Sequence, residues 1–333
     1  MKFKPDLIWI KDRSAATNHA WYDTTRGNTN ALRCNSVAVQ SQYGSATVTP
    51  FANGFEVNPG GNGGGLTISG NGMVAWCFRA GGSEKTFNVD GRGYDTAAET
   101  PGLSGSGLTI LGASIGKRQG FSIIQYQGSS AAGNHSFKHG LGQRPDFVII
   151  KAMDWDASSG GWPCWHITHE NKAFFIDRDV AADGTYFNQF WNAAPSATDI
   201  TVRADTGVST GNRYRTTGRD NPYMAYVWSN TPGFFHAGHY QGTGNNSGPL
   251  QLLGFRPAIV MLKEFDNDST NWLIYDNQRE SANPTIKHLF PNKNDGGGTY
   301  DGSNTDLSID FYATGFKIRN SNSGVNANND RYC

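Results

Sequence analysis

Two pairs of aspartates occupy matching places in the sequence and could supply oxygen ligands to a metal ion. Each pair begins three residues after a lysine that closes a short apolar run. The pairs are Asp154 with Asp156 and Asp266 with Asp268. Carboxylates on a turn suit Ca²⁺, but neither loop continues with the full calcium-loop pattern, and Asp also forms turns by bonding its own backbone. We therefore expect no cofactor, with calcium at these four residues as the alternative.

Aromatic side chains are the second group with chemical potential, because flat rings stack on the CH faces of sugars. Five of them lie where the sequence departs most from its internal repeat, and we expect these to contact a glycan or a partner protein. They are Trp155, Trp162, Trp165, Tyr186 and Trp191. The alternative is ordinary packing. Five other tryptophans fall in strand-like patterns and are predicted to be core: Trp9, Trp21, Trp76, Trp228 and Trp272.

The remaining polar groups do not form a recognisable catalytic set. His166 and His169 are the best histidine candidates, but in a strand positions three apart face opposite sides, so one metal ion would not take both. The sequence has no Gly-x-Ser-x-Gly elbow and no phosphate-binding glycine loop, and nothing marks one carboxylate pair as buried or poised. We expect a protein that is not an enzyme.

These residues are carried by three related copies of one strand-rich unit. The clearest sign is a shared opening of Pro, a small or acidic residue, four large apolar residues and Lys, which predicts a buried strand. It occurs at 5–11, 145–151 and 257–263. Further segments match in the same order, among them 51–57 with 312–318 and 71–78 with 221–228. Short strands separated by Gly, Asn, Asp and Pro predict an all-β chain of repeated antiparallel β-sandwich or jelly-roll, lectin-like units.

The repeats divide the chain into a first unit, residues 1–82, a second unit with insertions, 120–231, and a third unit, 232–333. The Gly-, Ser- and Thr-rich segment 83–119 is predicted to be a linker or long surface loop. The second and third units begin with an aromatic-Gln-Gly strand, at 121–128 and 235–242, which the first unit lacks. The third unit lacks the closing strand that the first two units have at 71–78 and 221–228. Three explanations stay open: the two units complete each other, a neighbouring subunit fills the gap, or the sequence is cut short.

Composition excludes several classes of protein. Lys plus Arg equals Asp plus Glu, 28 each, so no basic stripe for nucleic acid is expected. No apolar run is long enough to cross a bilayer, and residues 1–5 show no signal-peptide core. The four cysteines lie far apart and are predicted to be free thiols rather than disulfides or zinc ligands.

Several of these motifs resemble a repeat found in structural proteins of tailed bacteriophages, particularly marine and cyanobacterial ones. The similar elements are the opening at 5–11, the strand Val74-Ala75-Trp76-Cys77-Phe78-Arg79-Ala80-Gly81-Gly82, and the link from 90–94 to 120–124. The resemblance covers most of the chain and implies a role at the virion surface. It supplies no catalytic residues.

On this basis the expected function is a structural protein of a phage particle, assembled in the host cytoplasm and displayed on the virion surface. A tail-fibre role with recognition of host glycans comes first. A head decoration protein, or a free carbohydrate-binding or glycan-hydrolysing protein, is the alternative. The expected partners are other virion proteins and further copies of the chain, as a trimer by analogy with fibre proteins, with no nucleic acid and no membrane insertion.

Overall fold

The protein is described by a computed structural model. It covers residues 1–13, 15–42, 47–58, 72–154, 161–204, 216–217, 220–294 and 305–333. The described chain is all-β, as predicted, with sheets that are antiparallel except for one parallel strand pair, and with two short helices. No helix in these ranges is long and apolar enough to cross a membrane.

The first unit contains one five-stranded sheet and one hairpin. Its strands are β1 (Leu7–Asp12), β2 (Ala20–Asp23), β3 (Asn30–Arg33), β4 (Ser41–Gln42), β5 (Thr47–Phe51), β6 (Gly54–Asn58) and β7 (Met73–Phe78). The sheet order is β4-β3-β2-β1-β7, and β5 pairs with β6. The opening strand β1 is therefore flanked by β2 on one side and by the closing strand β7 on the other.

The segment before the second unit is not a linker. It forms β8 (Phe87–Val89), β9 (Arg92–Tyr94), β10 (Gly105–Ser106) and β11 (Thr109–Gly116). Strand β11 lies inside an eight-stranded sheet, between β8 and the first strand of the second unit. The prediction of a linker or surface loop at 83–119 was wrong, because a strand with a partner on each side is bonded along both edges.

The second unit supplies most of that eight-stranded sheet. Its elements are β12 (Phe121–Gln127), β13 (Gly133–Lys138), β14 (Phe147–Ala152), β15 (Pro163–His166), a 3₁₀ turn (Ile167–His169), β16 (Phe174–Phe175), α1 (Gly184–Phe190), β17 (Asp199–Ala204) and β18 (Pro222–Trp228). The order is β16-β15-β14-β18-β12-β11-β8-β9. A smaller sheet, β10-β13-β17, accompanies it.

The strands of the third unit are divided among three small sheets. Its elements are β19 (Tyr240–Gln241), β20 (Leu250–Leu252), β21 (Ile259–Leu262), β22 (Leu273–Asp276), β23 (His288–Leu289), a 3₁₀ turn (Thr305–Leu307), β24 (Ile309–Tyr312), β25 (Gly315–Ile318), α2 (Ser323–Asn326) and β26 (Arg331–Tyr332). The sheets are β19-β26, β21-β22-β23 and β20-β25-β24. The predicted opening strands of all three units, β1, β14 and β21, are confirmed.

Alternating side chains of each opening strand enter two different cores, as the period of a strand requires. In β1, Ile8 and Ile10 pack in a core of the first unit, whereas Leu7 and Trp9 face a core common to all units. In β14, Val148 and Ile150 belong to an inner core, and Phe147 and Ile149 enter the common core. Each unit thus encloses its own core against its smaller sheet or hairpin.

The common core holds the three units together, and we call it the shared core. It contains large side chains from every unit, including Trp9 and Trp21 of the first, Tyr226 and Trp228 of the second, and Trp272 of the third. The five tryptophans predicted to be core are at most 6% exposed, which confirms that prediction. The four cysteines are free, also as predicted.

Both terminal segments are paired within their own units. Strand β1 bonds β2 and β7, while β26 bonds β19 and also reaches the end of β21 through a bridge between Glu264 and Tyr332. The first and third units therefore do not complete each other by exchanging these strands. The third unit, which the sequence predicted to lack its closing strand, has the first residues of that strand in β26.

Candidate functional site

The junction between the second and first units is built on a buried ion pair. Arg26 Nε donates to Asp23 Oδ2 over 2.6 Å, and both side chains are at most 1% exposed. Backbone N–H groups of Thr25 and Arg26 donate to the other carboxylate oxygen. The hydroxyl of Tyr226, which comes from the closing strand of the second unit, donates to Asp23 Oδ2 over 2.8 Å. A carboxylate at the end of β2 therefore holds the neighbouring unit.

The junction between the first and third units repeats this arrangement with different residues. Arg279 Nε donates to Asp276 Oδ2 over 2.5 Å, and the backbone N–H groups of Gln278 and Arg279 donate to Oδ1. The indole N–H of Trp76, from the closing strand of the first unit, donates to Asp276 Oδ2 over 3.1 Å. Since Asp23 pairs with Leu7 and Asp276 with Ile259, the two aspartates hold the same place in the repeat.

In the second unit that place belongs to His166, which pairs with Phe147. His169 follows at the spacing of Arg26 and Arg279. The two histidines lie together because the 3₁₀ turn follows His166 directly, and the Thr168 hydroxyl contacts His166 Nδ1 over 2.8 Å and His169 Nδ1 over 3.1 Å. The expectation that they face opposite sides of one strand was wrong, since the strand ends at His166.

Backbone carbonyl groups provide a second set of contacts between units. Trp162 of the second unit donates its indole N–H to Arg33 O and Ser36 O of the first, 3.0 Å each. Trp272 of the third unit donates to Phe175 O of the second over 2.8 Å. Cys34 Sγ lies 3.4 Å from Pro291 O, which connects the first unit to the third. The contacts form a closed ring: second to first, third to second, first to third.

Burial controls the ionisation of these groups. Burial opposes the charged form of Asp276, but Arg279 and backbone N–H donors outweigh it, so the pKa of Asp276 is lowered. Burial raises the pKa of the Tyr226 hydroxyl well above its usual value. Burial lowers the pKa of His166 to about 3 and that of His169 to about 4, so both are neutral near pH 7. Near pH 7, Asp276 is therefore charged, whereas Tyr226, His166 and His169 are neutral.

The side chains at the junctions hold neighbouring units together. Their carboxylates are at most 5% exposed, and each accepts bonds on both oxygens from Arg, backbone N–H and an aromatic donor. A substrate would have no access to them. Among the described residues, no group of three or more His, Cys, Asp or Glu side chains is arranged to hold a metal ion.

A cleft of about 260 Å³ on the first unit is lined by both charged and apolar residues. Asp6 lies in its wall and accepts bonds from Ala80 N over 2.7 Å, Gly82 N over 3.3 Å and the hydroxyls of Thr24 and Ser114. Burial raises the pKa of Asp6, although these donors oppose the shift. Asp6 thus ties β1 to the chain after β7 and to β11.

The structure corrects three of the five aromatic predictions. Trp162, Trp165 and Trp191 are fully buried, so they do not offer a surface for a glycan or a partner. Trp162 bonds the first unit, whereas Trp165 and Trp191 pack in the core of the second unit. Tyr186 is half-buried, stacks on Phe190 and keeps part of its ring accessible. Trp155 lies outside the described residues.

The four predicted calcium ligands are not brought together among the residues that the structure describes. Asp154 is exposed, and Asp156 lies outside the described ranges. Both oxygens of Asp266 receive bonds from Arg331, at 2.5 Å to Oδ1 and 3.1 Å to Oδ2. Asp268 Oδ1 accepts from Ala181 N over 2.7 Å. Asp266 and Asp268 thus make contacts within and between units instead of sharing one centre.

Sequence reasoning did not find the junction residues, although a signal for them exists. In the first and third units, the strand after the opening strand ends at an aspartate, and an arginine lies three positions later: Asp23 with Arg26 and Asp276 with Arg279. The corresponding positions in the second unit are His166 and His169. The same spacing recurs in all three units, with an Asp and Arg pair in two of them and two histidines in the other. This recurrence indicates positions with a structural role.

The geometry defines an all-β protein of three sequence-related units packed around one shared core. The whole chain, residues 1–333, matches a family model described as a domain of unknown function, DUF7483, and the chain belongs to this family. Comparison with curated proteins and with solved structures finds no significant match.

Proposed function

We propose that the protein is a non-enzymatic structural component of a bacteriophage particle, displayed on the virion surface, most simply in a tail fibre. The observation that carries the proposal is the closed ring of contacts around the shared core. The three units are joined by buried aromatic rings and by aromatic donors to two buried, ion-paired carboxylates, and we propose that they move as one rigid body. Rigidity of this kind suits a part that transmits load or presents loops.

Two further observations support this role. Each unit encloses a core between its main sheet and a smaller sheet or hairpin, and we propose that this arrangement is the lectin-like β-sandwich that the repeat predicts. The buried carboxylates Asp6, Asp23 and Asp276 are occupied by internal donors instead of being directed at a substrate. The phage-type motifs at 5–11 and 74–82 provide the remaining support.

Recognition of a host glycan is proposed for the surface loops of the second unit. Tyr186 and Trp155 are the candidates that remain from the predicted aromatic set. Many weak contacts would add up if the particle carries several copies, for which we propose a homotrimer among other virion proteins. We propose no cofactor, since the described acidic residues at the predicted calcium positions have protein partners or stand alone.

The direct test is the position of the protein on the particle. Virions carrying an affinity-tagged copy, imaged by electron microscopy with a gold-labelled tag ligand, are expected to show label on tail fibres. Purified protein is expected to bind host cells and to reduce adsorption of the phage. Label confined to the head, with no effect on adsorption, would favour a decoration protein. Absence of label from intact particles would overturn the virion role.

Catalysis is tested separately on host polysaccharide. The most exposed carboxylate at the cleft is Glu84, whose side chain is 87% exposed and pairs with Lys4 Nζ over 2.5 Å. We expect no release of oligosaccharides by the wild-type protein or by Glu84→Gln. Turnover that one carboxylate substitution abolishes would contradict the proposal and identify a glycan hydrolase.

A further inference from the structure

The smaller sheet of the second unit has a strand on each side of β13, whereas the smaller sheet of the third unit ends at β20. Their orders are β10-β13-β17 and β20-β25-β24. Strands β13 and β20 both precede the repeated Leu-Gly-x-Arg-Pro segment, so Leu250 corresponds to Lys138. Lys138 N donates to Ser104 O, directly before β10, over 2.8 Å. On the matching side of β20, the described chain provides no strand.

The difference arises inside the chain, from the connections between units. The connection from β7 to β12, residues 79–120, forms β8 to β11 and so gives the second unit its edge strand β10. The connection from β18 to β19, residues 229–239, lies wholly within the described chain and contains no strand. The connection before the third unit therefore does not cover β20 as the connection before the second unit covers β13.

The backbone of β20 directs the polar groups of Leu250 and Leu252 away from β25. Leu253 N donates to Thr314 O over 2.8 Å, so the residues of β20 at even spacing from Leu253 are those that bond β25. The N–H and C=O groups of Leu250 and Leu252 point to the open side. Among the described residues, the one hydrogen bond to these groups comes from the side-chain amide of Gln251, which reaches Leu250 O over 3.1 Å.

The side chains on this edge are apolar and exposed. Leu250 is 50% exposed and Leu252 is 69% exposed. They lie on the outer face of the sheet, because Gln251 between them pairs with Phe316, whose side chain faces the core of the third unit. Edge strands of natural proteins are usually charged, bulged or covered. An open edge with two exposed leucines is therefore a site for pairing with another strand.

We propose that the protein self-associates through this edge, with β20 of one copy pairing antiparallel with β20 of a second copy. A twofold axis at Gln251 sets Leu250 opposite Leu252 of the second copy, and Leu252 opposite Leu250 of the second copy. Each of these two pairs exchanges two backbone hydrogen bonds. The sheet then continues across the contact, with β24, β25 and β20 contributed by each copy.

A second copy fits this edge better than a strand like β10. Residues directly opposite each other in an antiparallel pair share a face, so the two leucines need apolar neighbours there. Strand β10 consists of Gly105 and Ser106 and offers none. Among the described strands, β20 alone carries two exposed large apolar side chains at alternate positions. Pairing about a twofold axis brings the leucines of both copies together and is self-complementary.

This inference goes beyond the proposed function and does not depend on it. In the proposed homotrimer each contact joins two different surfaces of the chain, whereas the β20 contact joins one surface to itself. If the trimer forms, the β20 contact joins two trimers. If it does not form, the same contact produces a dimer. Failure of the trimer and failure of the β20 contact are therefore distinguishable.

The first experiment measures the mass of the purified protein by sedimentation equilibrium over a range of concentrations. The wild type is expected to approach an even number of copies at high concentration. Leu252→Lys is expected to have half that mass, because lysine on an edge strand blocks pairing. Phe234→Lys is the control, since Phe234 is 64% exposed but lies outside β20, and it is expected to keep the wild-type mass. Equal masses for Leu252→Lys and the wild type would overturn the proposal.

The second experiment separates backbone pairing from contact between side chains. Leu252→Pro removes the outward N–H while leaving the bonds from β20 to β25 in place, as proline does on an edge strand. Leu252→Ala shortens the same side chain but keeps the N–H. We expect Leu252→Ala to retain part of the association and Leu252→Pro to lose it. Equal association of the two variants would show that the strands do not pair and would overturn the proposal.

The third experiment tests the register by oxidative cross-linking. At the twofold axis the two Gln251 residues form a pair without hydrogen bonds, with Cα atoms about 4.5 Å apart, so Gln251→Cys is expected to give a disulfide-linked dimer. The two Leu250 residues lie diagonally, about 7–8 Å apart, which exceeds the reach of a disulfide. Leu250→Cys and the wild type are therefore expected to remain uncross-linked. A cross-link in Leu250→Cys, or none in Gln251→Cys, would overturn the proposed pairing.

Discussion

Trp76 and Asp276 are 200 positions apart in the chain, yet the indole N–H of the first donates a 3.1 Å hydrogen bond to the carboxylate of the second. Asp276 also binds Arg279, so one carboxylate joins its own unit to the first unit. The same relation joins Tyr226 to Asp23 between the second and first units. Because the closing strands of the first and second units each donate to an aspartate of a neighbouring unit, the units are expected to unfold together.

The hydroxyl of Tyr226 is the simplest junction group to remove. In Tyr226→Phe the buried Asp23 carboxylate loses a donor that no water replaces, so we expect the free energy of unfolding in urea to fall by about 1–3 kcal/mol. Tyr312→Phe is the control, since that hydroxyl also bonds an aspartate, Asp310, but its ring is 39% exposed. Similar losses in both variants would show that Tyr226 does not join the units.

The buried ion pair between Arg26 and Asp23 predicts a larger effect. Arg26→Met leaves an unpaired carboxylate in the core, which costs about 3–5 kcal/mol in the free energy of unfolding. Lys85→Met removes the cation of a pair with Asp95 in which both side chains are more than half exposed, and we expect no measurable change there. Denaturation midpoints by circular dichroism provide the comparison. A small effect of Arg26→Met would mean that water reaches the junction.

The opening strands could be predicted from the sequence because a strand that is buried on both faces contains a continuous run of apolar residues. Strand β14, for example, reads Phe147-Val148-Ile149-Ile150 with one apolar face in each of two cores. The repeated hairpins were also visible, since Phe51 pairs with Gly54 as Tyr312 pairs with Gly315. The local sequence pattern was sufficient to predict these strands and hairpins, because their structure depends on neighbouring residues in the chain.

Small residues in the segment 83–119 were interpreted as flexibility, but they mark close packing. A side chain at Gly116 would place its Cβ 2.5 Å from Ala80 O, and one at Gly112 would lie 2.6 Å from the methyl group of Thr25. These glycines let β11 approach the first unit. Composition alone does not distinguish a flexible loop from a strand whose glycines allow close packing against another unit.

The three wrong predictions of surface tryptophans have a different reason. Trp162 was assigned to the surface because its neighbourhood departs from the repeat, but it lies against Arg33, 129 positions earlier in the chain. Contacts between units are not visible in a single unit's pattern. The same limit hid the junction residues, whose partners also belong to other units.

The position of β11 inside the sheet gives a test that separates a strand from a linker. Ile115 is fully buried, so Ile115→Ala is expected to lower the free energy of unfolding by about 2–5 kcal/mol. Leu111 belongs to the same strand but is 37% exposed, and Leu111→Ala is expected to change it by less than about 1 kcal/mol. A linker would tolerate both substitutions, so a neutral Ile115→Ala would contradict the sheet assignment.

Five buried histidines predict that stability depends on pH above the range in which carboxylates titrate. Burial lowers the pKa of His19 and His166 to about 3, and that of His139, His169 and His288 to about 4. In the unfolded chain each has a pKa of about 6.5 and binds a proton first. Their contribution is therefore fully present above about pH 6.5 and is lost as the pH falls towards 4. The melting temperature is expected to decrease across that window.

The variant His288→Gln isolates one of these groups. His288 is 1% exposed, contacts Ile286 O over 3.1 Å through Nδ1, and lies near Arg279, whose charge adds to the effect of burial. Removing this group is expected to reduce the slope of the unfolding free energy by about 1.2 kcal/mol per pH unit between pH 6 and 5, because nearly one proton fewer is then taken up on unfolding. Urea denaturation at several pH values measures the slope directly. An unchanged slope would mean that His288 is already protonated in the folded protein, which its apolar surroundings between Tyr275 and Phe290 oppose.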